Sequence, residues 1–150
     1  MRVEAFLADS VQASEGKLYA LGIGWTTIST QRFPARHDRI GIGIVVHLDG
    51  EGGPQHRLEI RFLGPGGDAH ALGSGPDGRP MDSLGIPFAG GGGGPSTATF
   101  ALNLNGLPFE REGDYAFTVS IDDAEAARLP FRVQAPPATP SAEYRAGVYL

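Results

Sequence analysis

Four histidines, His37, His47, His56 and His70, are the side chains best suited to proton transfer or metal binding near neutral pH. No two of them stand in an H-x-H or H-x-x-x-H spacing, so no local motif builds a metal site. His47 and His56 flank the turn Asp49-Gly50-Glu51-Gly52-Gly53-Pro54, where strand pairing would bring them together beside Asp49. Two histidines at a hairpin end ordinarily face solvent, and no metal is expected. An enzyme would require a pocket that gathers His70 with Asp68, Asp77 or Asp82. Ser14-Glu15-Gly16-Lys17 fits S-x-x-K, in which a serine nucleophile sits one helical turn from its lysine. Here Gly16 falls between two strands and the companion S-D-N and K-T-G motifs are missing, so the segment reads as a turn.

The carboxylates form two groups, Glu110/Glu112/Asp114 and Asp122/Asp123/Glu125. The strand between them, residues 115–121, spans ~23 Å at about 3.3 Å per residue, so they lie at opposite ends of it. They cannot make one two-carboxylate site. Calcium at a loop end would need acids from two loops, with Asp68/Asp77/Asp82 and Asp122/Asp123 as contributors. Gly22-Ile23-Gly24 has Thr27 where a dinucleotide fingerprint needs its third glycine, and Gly90–Gly94 lacks the Lys-Ser/Thr of a phosphate loop. Arg57 and Arg61 bracket Glu59 as surface ion pairs, without the aromatic ladder of an RNA-binding sheet. Neither a catalytic residue nor a cofactor is expected.

The elements that would hold these groups are strands. Val3, Ala5 and Leu7 alternate first, and Tyr19, Leu21, Ile23 and Trp25 share one face of the next run. Ile40, Ile42, Ile44, Val46 and Leu48 follow, then Leu58, Ile60 and Phe62. Ala98, Phe100, Leu102 and Leu104 alternate again, as do Tyr115, Phe117, Val119 and Ile121, and Phe131 and Val133 close the pattern. Tyr19, Leu21, Ile23, Phe100 and Leu102 are expected in the core with the others. No stretch has the i, i+3, i+4 spacing of an amphipathic helix.

Between them, residues 64–96 hold 12 of the 23 glycines and 5 of the 12 prolines, which predicts a long loop region. The islands Ala69–Leu72 and Ile86–Phe88 are its candidate edge strands. From Asp122 to Ala127 the chain reads as one helical turn or a wide hairpin loop. Residues 135–140 form a proline-rich spacer ahead of 141–150.

The chain has 150 residues, one domain's worth, with a formal net charge of −5. Its positive charge is eleven Arg and Lys17, a poor match to phosphate backbones or anionic lipid. With no cysteine, disulfides, thiolate chemistry and cysteine-based metal sites are excluded. The apolar run at Ala5–Ala8 is too short for a secretory leader, and no run reaches the length of a membrane span. The expectation is a soluble cytoplasmic protein that binds neither nucleic acid nor membrane.

These patterns predict an all-β antiparallel immunoglobulin-like β-sandwich of about seven to eight strands over residues 1–134. Gly113-Asp114-Tyr115 places a tyrosine at the start of the next-to-last strand, where such sandwiches keep a tyrosine corner. Leu7-Ala8-Asp9, Gly16-Lys17-Leu18-Tyr19-Ala20-Leu21-Gly22 and Gly24-Trp25 resemble the opening of a bacterial domain-of-unknown-function family. Asn103-Leu104, Leu107-Pro108 and Gly113-Asp114-Tyr115 with its final hairpin are similar to the same family. The resemblance covers residues 1–134 and implies a small β-sandwich without lending a catalytic residue. Arg-rich, Lys-poor, Ala/Gly/Pro-heavy usage resembles proteins of high-GC bacteria.

The function expected from these residues is non-catalytic: a module that acts by protein–protein interaction or self-association. The alternative is a small-ligand module, for carbohydrate or calcium, using the 64–96 loop. Beyond the spacer the chain continues Glu143-Tyr144-Arg145-Ala146-Gly147-Val148-Tyr149-Leu150, apolar where a merely disordered tail would be polar. Tyr144, Val148, Tyr149 and Leu150 are the expected contact residues, covering a sheet edge of their own domain or pairing with a partner's.

Overall fold

The structure, a computed structural model, describes residues 1–90 and 92–136. Its strands are β1 (Arg2–Ala8), β2 (Ser10–Ser14), β3 (Lys17–Leu21), β4 (Thr27–Ser29), β5 (Ala35–Leu48) and β6 (Gln55–Leu63). Then come β7 (Ala69–His70), β8 (Gly73–Ser74), β9 (Pro80–Met81), β10 (Ser83–Ala89), β11 (Ser96–Phe109), β12 (Gly113–Ile121) and β13 (Ala124–Gln134). The described residues contain no helix, hence none long and apolar enough to cross a membrane.

One sheet runs β1-β5-β11 and the other β10-β6-β12-β13-β4, with β7 also on β6. The chain changes sheet between β4 and β5, between β5 and β6, between β10 and β11 and between β11 and β12. Both sheets therefore interleave in sequence, the immunoglobulin-like arrangement. All ladders are antiparallel except β4 on β13, where Thr27–Ser29 runs parallel beside Arg132–Gln134. The alternation is legible in the core: Ile40, Ile42, Ile44, Val46, Leu58, Ile60, Phe62, Phe117, Val119 and Val133 are fully buried. Phe100 and Leu102 are half-buried against that core. The Phe62 ring stacks on Phe117 and Tyr115 with centroids 5.0 and 5.6 Å apart.

Tyr115 is 1% exposed and its hydroxyl donates to the Arg111 carbonyl at 2.6 Å, so the tyrosine corner is present. The β12–β13 link is neither a helical turn nor a wide loop. Asp122 and Asp123, with φ of 50° and 69°, make a two-residue turn of the kind that suits the twist of a hairpin.

Residues 64–96 are not one loop. β10 pairs with β6 over seven residues and puts Leu84, Ile86 and Phe88 against the core, while β7 adds a short rung. Pro87 lies on this edge strand and Pro130 on the part of β13 that β4 does not cover, positions that tolerate a missing N–H.

The clearest departure concerns β2 and β3. They form a hairpin of their own, and Tyr19, Leu21 and Ile23 are 54%, 73% and 58% exposed rather than buried. The hairpin lies on the outer surface of the β1-β5-β11 sheet and turns its slimmer face, Val11, Leu18 and Ala20, inward. Gly41 permits this approach: a Cβ there would meet Val11 Cγ2 at 2.9 Å and the Ser10 backbone at 3.1 Å.

Candidate interaction surface

The hairpin is fastened by a side chain that imitates a strand. On β11, Asn103 accepts the Val11 N–H with Oδ1 at 3.0 Å and donates from Nδ2 to the Val11 carbonyl at 2.8 Å. At the hairpin's open end the Asp9 N–H donates to the Leu21 carbonyl at 2.9 Å. Gly22, at φ 73°, then turns the chain where a Cβ would collide with the Asp9 carboxylate. The result presents Tyr19 and Leu21 to solvent on β3 and Ile23 just beyond it.

Next to Ile23 the surface dips into an apolar groove of about 180 Å³, walled by Phe6, Ile23, Trp25, Leu129 and Pro130. Trp25 packs edge-on against Phe131 at 5.7 Å. Its buried indole N–H has no hydrogen-bond partner among the described residues. Ile23 is shared between this groove and the exposed run, while Tyr19 and Leu21 stand ahead of it on β3 beside a second shallow groove with Val11 and Ala20.

The histidines go to different places. His56 is buried on β6 and bonds Asp122 through Nδ1 at 2.7 Å, and Asp122 also accepts the Arg57 N–H at 2.9 Å. These two bonds, the histidine's first, hold the Asp122 carboxyl below the ordinary aspartate range. His47 bonds Glu4 at 2.7 Å and His70 bonds Asp68 at 2.9 Å, while His37 lies 6.4 Å from the Trp25 ring. His47 and His56 therefore do not share a ligand. Among the described residues no three His, Asp or Glu converge on a metal.

His56–Asp122 is half of a general-base arrangement, and it adjoins a groove walled by Gly50, Gly52, Gly53, Gly90 and Gly93. No hydroxyl nucleophile lines that groove among the described residues. In the 64–96 segment Asp68 is bonded to His70, and Asp77 accepts the Arg79 N–H at 3.1 Å, so two of its three acids have partners nearby. Arg61 pairs with Glu59 at 2.5 Å, but Arg57 does not bracket it, since its guanidinium lies over Gly85. Tyr144, Val148, Tyr149 and Leu150 lie outside the described residues.

The patch at Tyr19, Leu21 and Ile23 was not foreseen, because alternation reveals two faces without saying which is covered. The available signal was the pair Gly41 and Gly43 in the outward row of β5, an invitation to close packing from outside.

A model of a family of unknown function, DUF6941, matches residues 4–134, and the chain belongs to that family. The fold is similar to an immunoglobulin-like protein from Pseudomonas aeruginosa, with 20% identity, 88% of this chain and 94% of that chain covered, and a TM-score of 0.43. No curated protein matches the sequence.

Proposed function

We propose that this DUF6941 member is a non-catalytic cytoplasmic module that binds another protein through the β2–β3 hairpin and the groove beside Trp25. The observation that carries the reading is the exposure of Tyr19, Leu21 and Ile23 on a hairpin that hydrogen bonds and close packing fix in place. A rigid anchor loses little conformational freedom on binding, and large apolar and aromatic side chains dominate the centres of protein interfaces. The exposed set is unneeded for the core, which closes beneath the hairpin without it. Charge supports the same reading, since a chain of net −5 with dispersed arginines offers no basic stripe.

A photo-crosslinking amino acid at position 21, introduced in the native host, tests this directly. The proposal expects one dominant protein adduct that Tyr19→Ser with Ile23→Ser removes while the melting temperature stays nearly constant. No adduct, or the same adducts from a control position at Ser74, would overturn it.

A further inference from the structure

On the opposite side of the molecule, the outer face of β6, β12 and β13 holds a polar groove of about 400 Å³. Its layout follows from register. Thr118 stands opposite Arg61 on β6 and Arg128 on β13, while Ser120 stands opposite Glu59 and Glu125. Residues directly opposite in a ladder share a face, so one row reads Arg–Thr–Arg and the next Glu–Ser–Glu. A bulge between Val119 and Ser120 brings Glu125 into the second row. Each arginine now pairs with a glutamate, Arg61 with Glu59 at 2.5 Å and Arg128 with Glu125 at 2.8 Å.

Thr118 does not fit an ordinary solvated face. It is only 7% exposed, and its side chain lines the groove. Its hydroxyl has no hydrogen-bond partner among the described residues. The hydroxyl is not sealed from solvent, because the Trp25 indole nitrogen is the one enclosed polar atom without a partner among the described residues; it opens onto the groove between two arginine-bearing strands, where it can donate to a ligand.

We propose that this groove binds a small zwitterion. Arg61, Thr118 and Arg128 take its carboxylate, and Glu59, Ser120 and Glu125 take its ammonium group. The guanidinium fork matches a carboxylate, and the threonine hydroxyl supplies the third donor. The rows are two residues apart, ~6.6 Å at about 3.3 Å per residue, which suits a dipeptide or a five-carbon ω-amino acid better than a single α-amino acid. Such a ligand replaces each ion-pair contact with an equivalent one, and the exposed pairs it opens are individually weak. Phosphate chains are disfavoured because Asp123 adds a third carboxylate to the wall. The groove offers no aromatic side chain for stacking a sugar.

The test is calorimetry of the full chain with glycylglycine and with 5-aminopentanoate, using pentanoate and pentylamine as single-charge controls. Both zwitterions are expected to bind saturably and the controls about tenfold more weakly or worse; Thr118→Val and Arg128→Gln should each weaken zwitterion binding by about tenfold. The two substitutions act on different strands, so loss of folding in one leaves the other as a test. Absence of saturable zwitterion binding, binding equal in both folded variants, or pentanoate binding as tightly as 5-aminopentanoate would overturn the proposal.

Discussion

Tyr115 and Asp122 show how single polar groups close the two ends of β12. Burial raises the Tyr115 phenol above its ordinary pKa, which keeps it a neutral donor to the Arg111 carbonyl at 2.6 Å. Tyr115→Phe keeps the ring stack and removes that bond, so urea unfolding should show a loss of about 0.5–1.5 kcal/mol. Phe117→Ala, which empties the stack between Phe62 and Phe131, should cost about 3–5 kcal/mol in the same assay. At the other end, Asp122 is held below its ordinary pKa by His56 first and the Arg57 N–H second. A depressed carboxylate stabilises the fold fully above its unfolded pKa, about 3.9, and loses that contribution as pH falls through the lower folded value. Asp122→Asn, which also tolerates the positive φ, removes this component. The stability gap between the two proteins should therefore be greatest above about pH 5 and shrink steadily toward pH 2. A gap that widens in acid would contradict the assignment.

A hairpin that rests on Gly41 is the element-scale novelty of this sandwich. Gly41 meets the Ser10 backbone, which cannot yield cheaply, whereas Gly43 meets only the outer edge of the movable Phe6 ring. Gly41→Ala should therefore lift β2 and β3 from the sheet while Gly43→Ala does so far less. Amide exchange would show this as lost protection at Val11 and Ala20 with Ile42 and Val119 unchanged. Equal protection in both variants would mean that Asn103 alone holds the hairpin. The same contact explains what could be read in advance. Ile40 to Leu48, Leu58 to Phe62 and Tyr115 to Ile121 each alternate with one apolar and one polar or small face, so their inward side is legible. In residues 17–23 both faces are apolar, and bulk favoured Tyr19, Leu21 and Ile23 for the core. Steric access decided otherwise, because only the slim face fits over Gly41. β10 was legible only as the island Ile86–Phe88, since Gly85 and Pro87, which fill its outward row beside Leu84, Ile86 and Phe88, read as loop residues. The zwitterion groove was hidden for another reason. Its rows exist only once β6, β12 and β13 are in register, and the bulge that places Glu125 has no marker in local sequence.

At the scale of the molecule, the buried apolar residues run from Leu7 to Val133 and lie between the two sheets. The core separates two surfaces of opposite character. The apolar hairpin rests outside the β1-β5-β11 sheet, and the arginine–glutamate groove lies outside the sheet of β6, β12 and β13. Sheets in such sandwiches pack ~10 Å apart, so the two surfaces stand farther apart than that and share no side chain. Sites separated by more than about 7–10 Å without common partners contribute independently to stability, with deviations of about 0.3–0.5 kcal/mol. Leu21→Ser and Thr118→Val should therefore be additive in urea unfolding. The double variant's loss should equal the two single losses within that margin, and glycylglycine should leave the crosslinking yield from position 21 unchanged. A coupling above about 1 kcal/mol would show instead that the hairpin and the polar face are linked through the core, as one two-sided site rather than two.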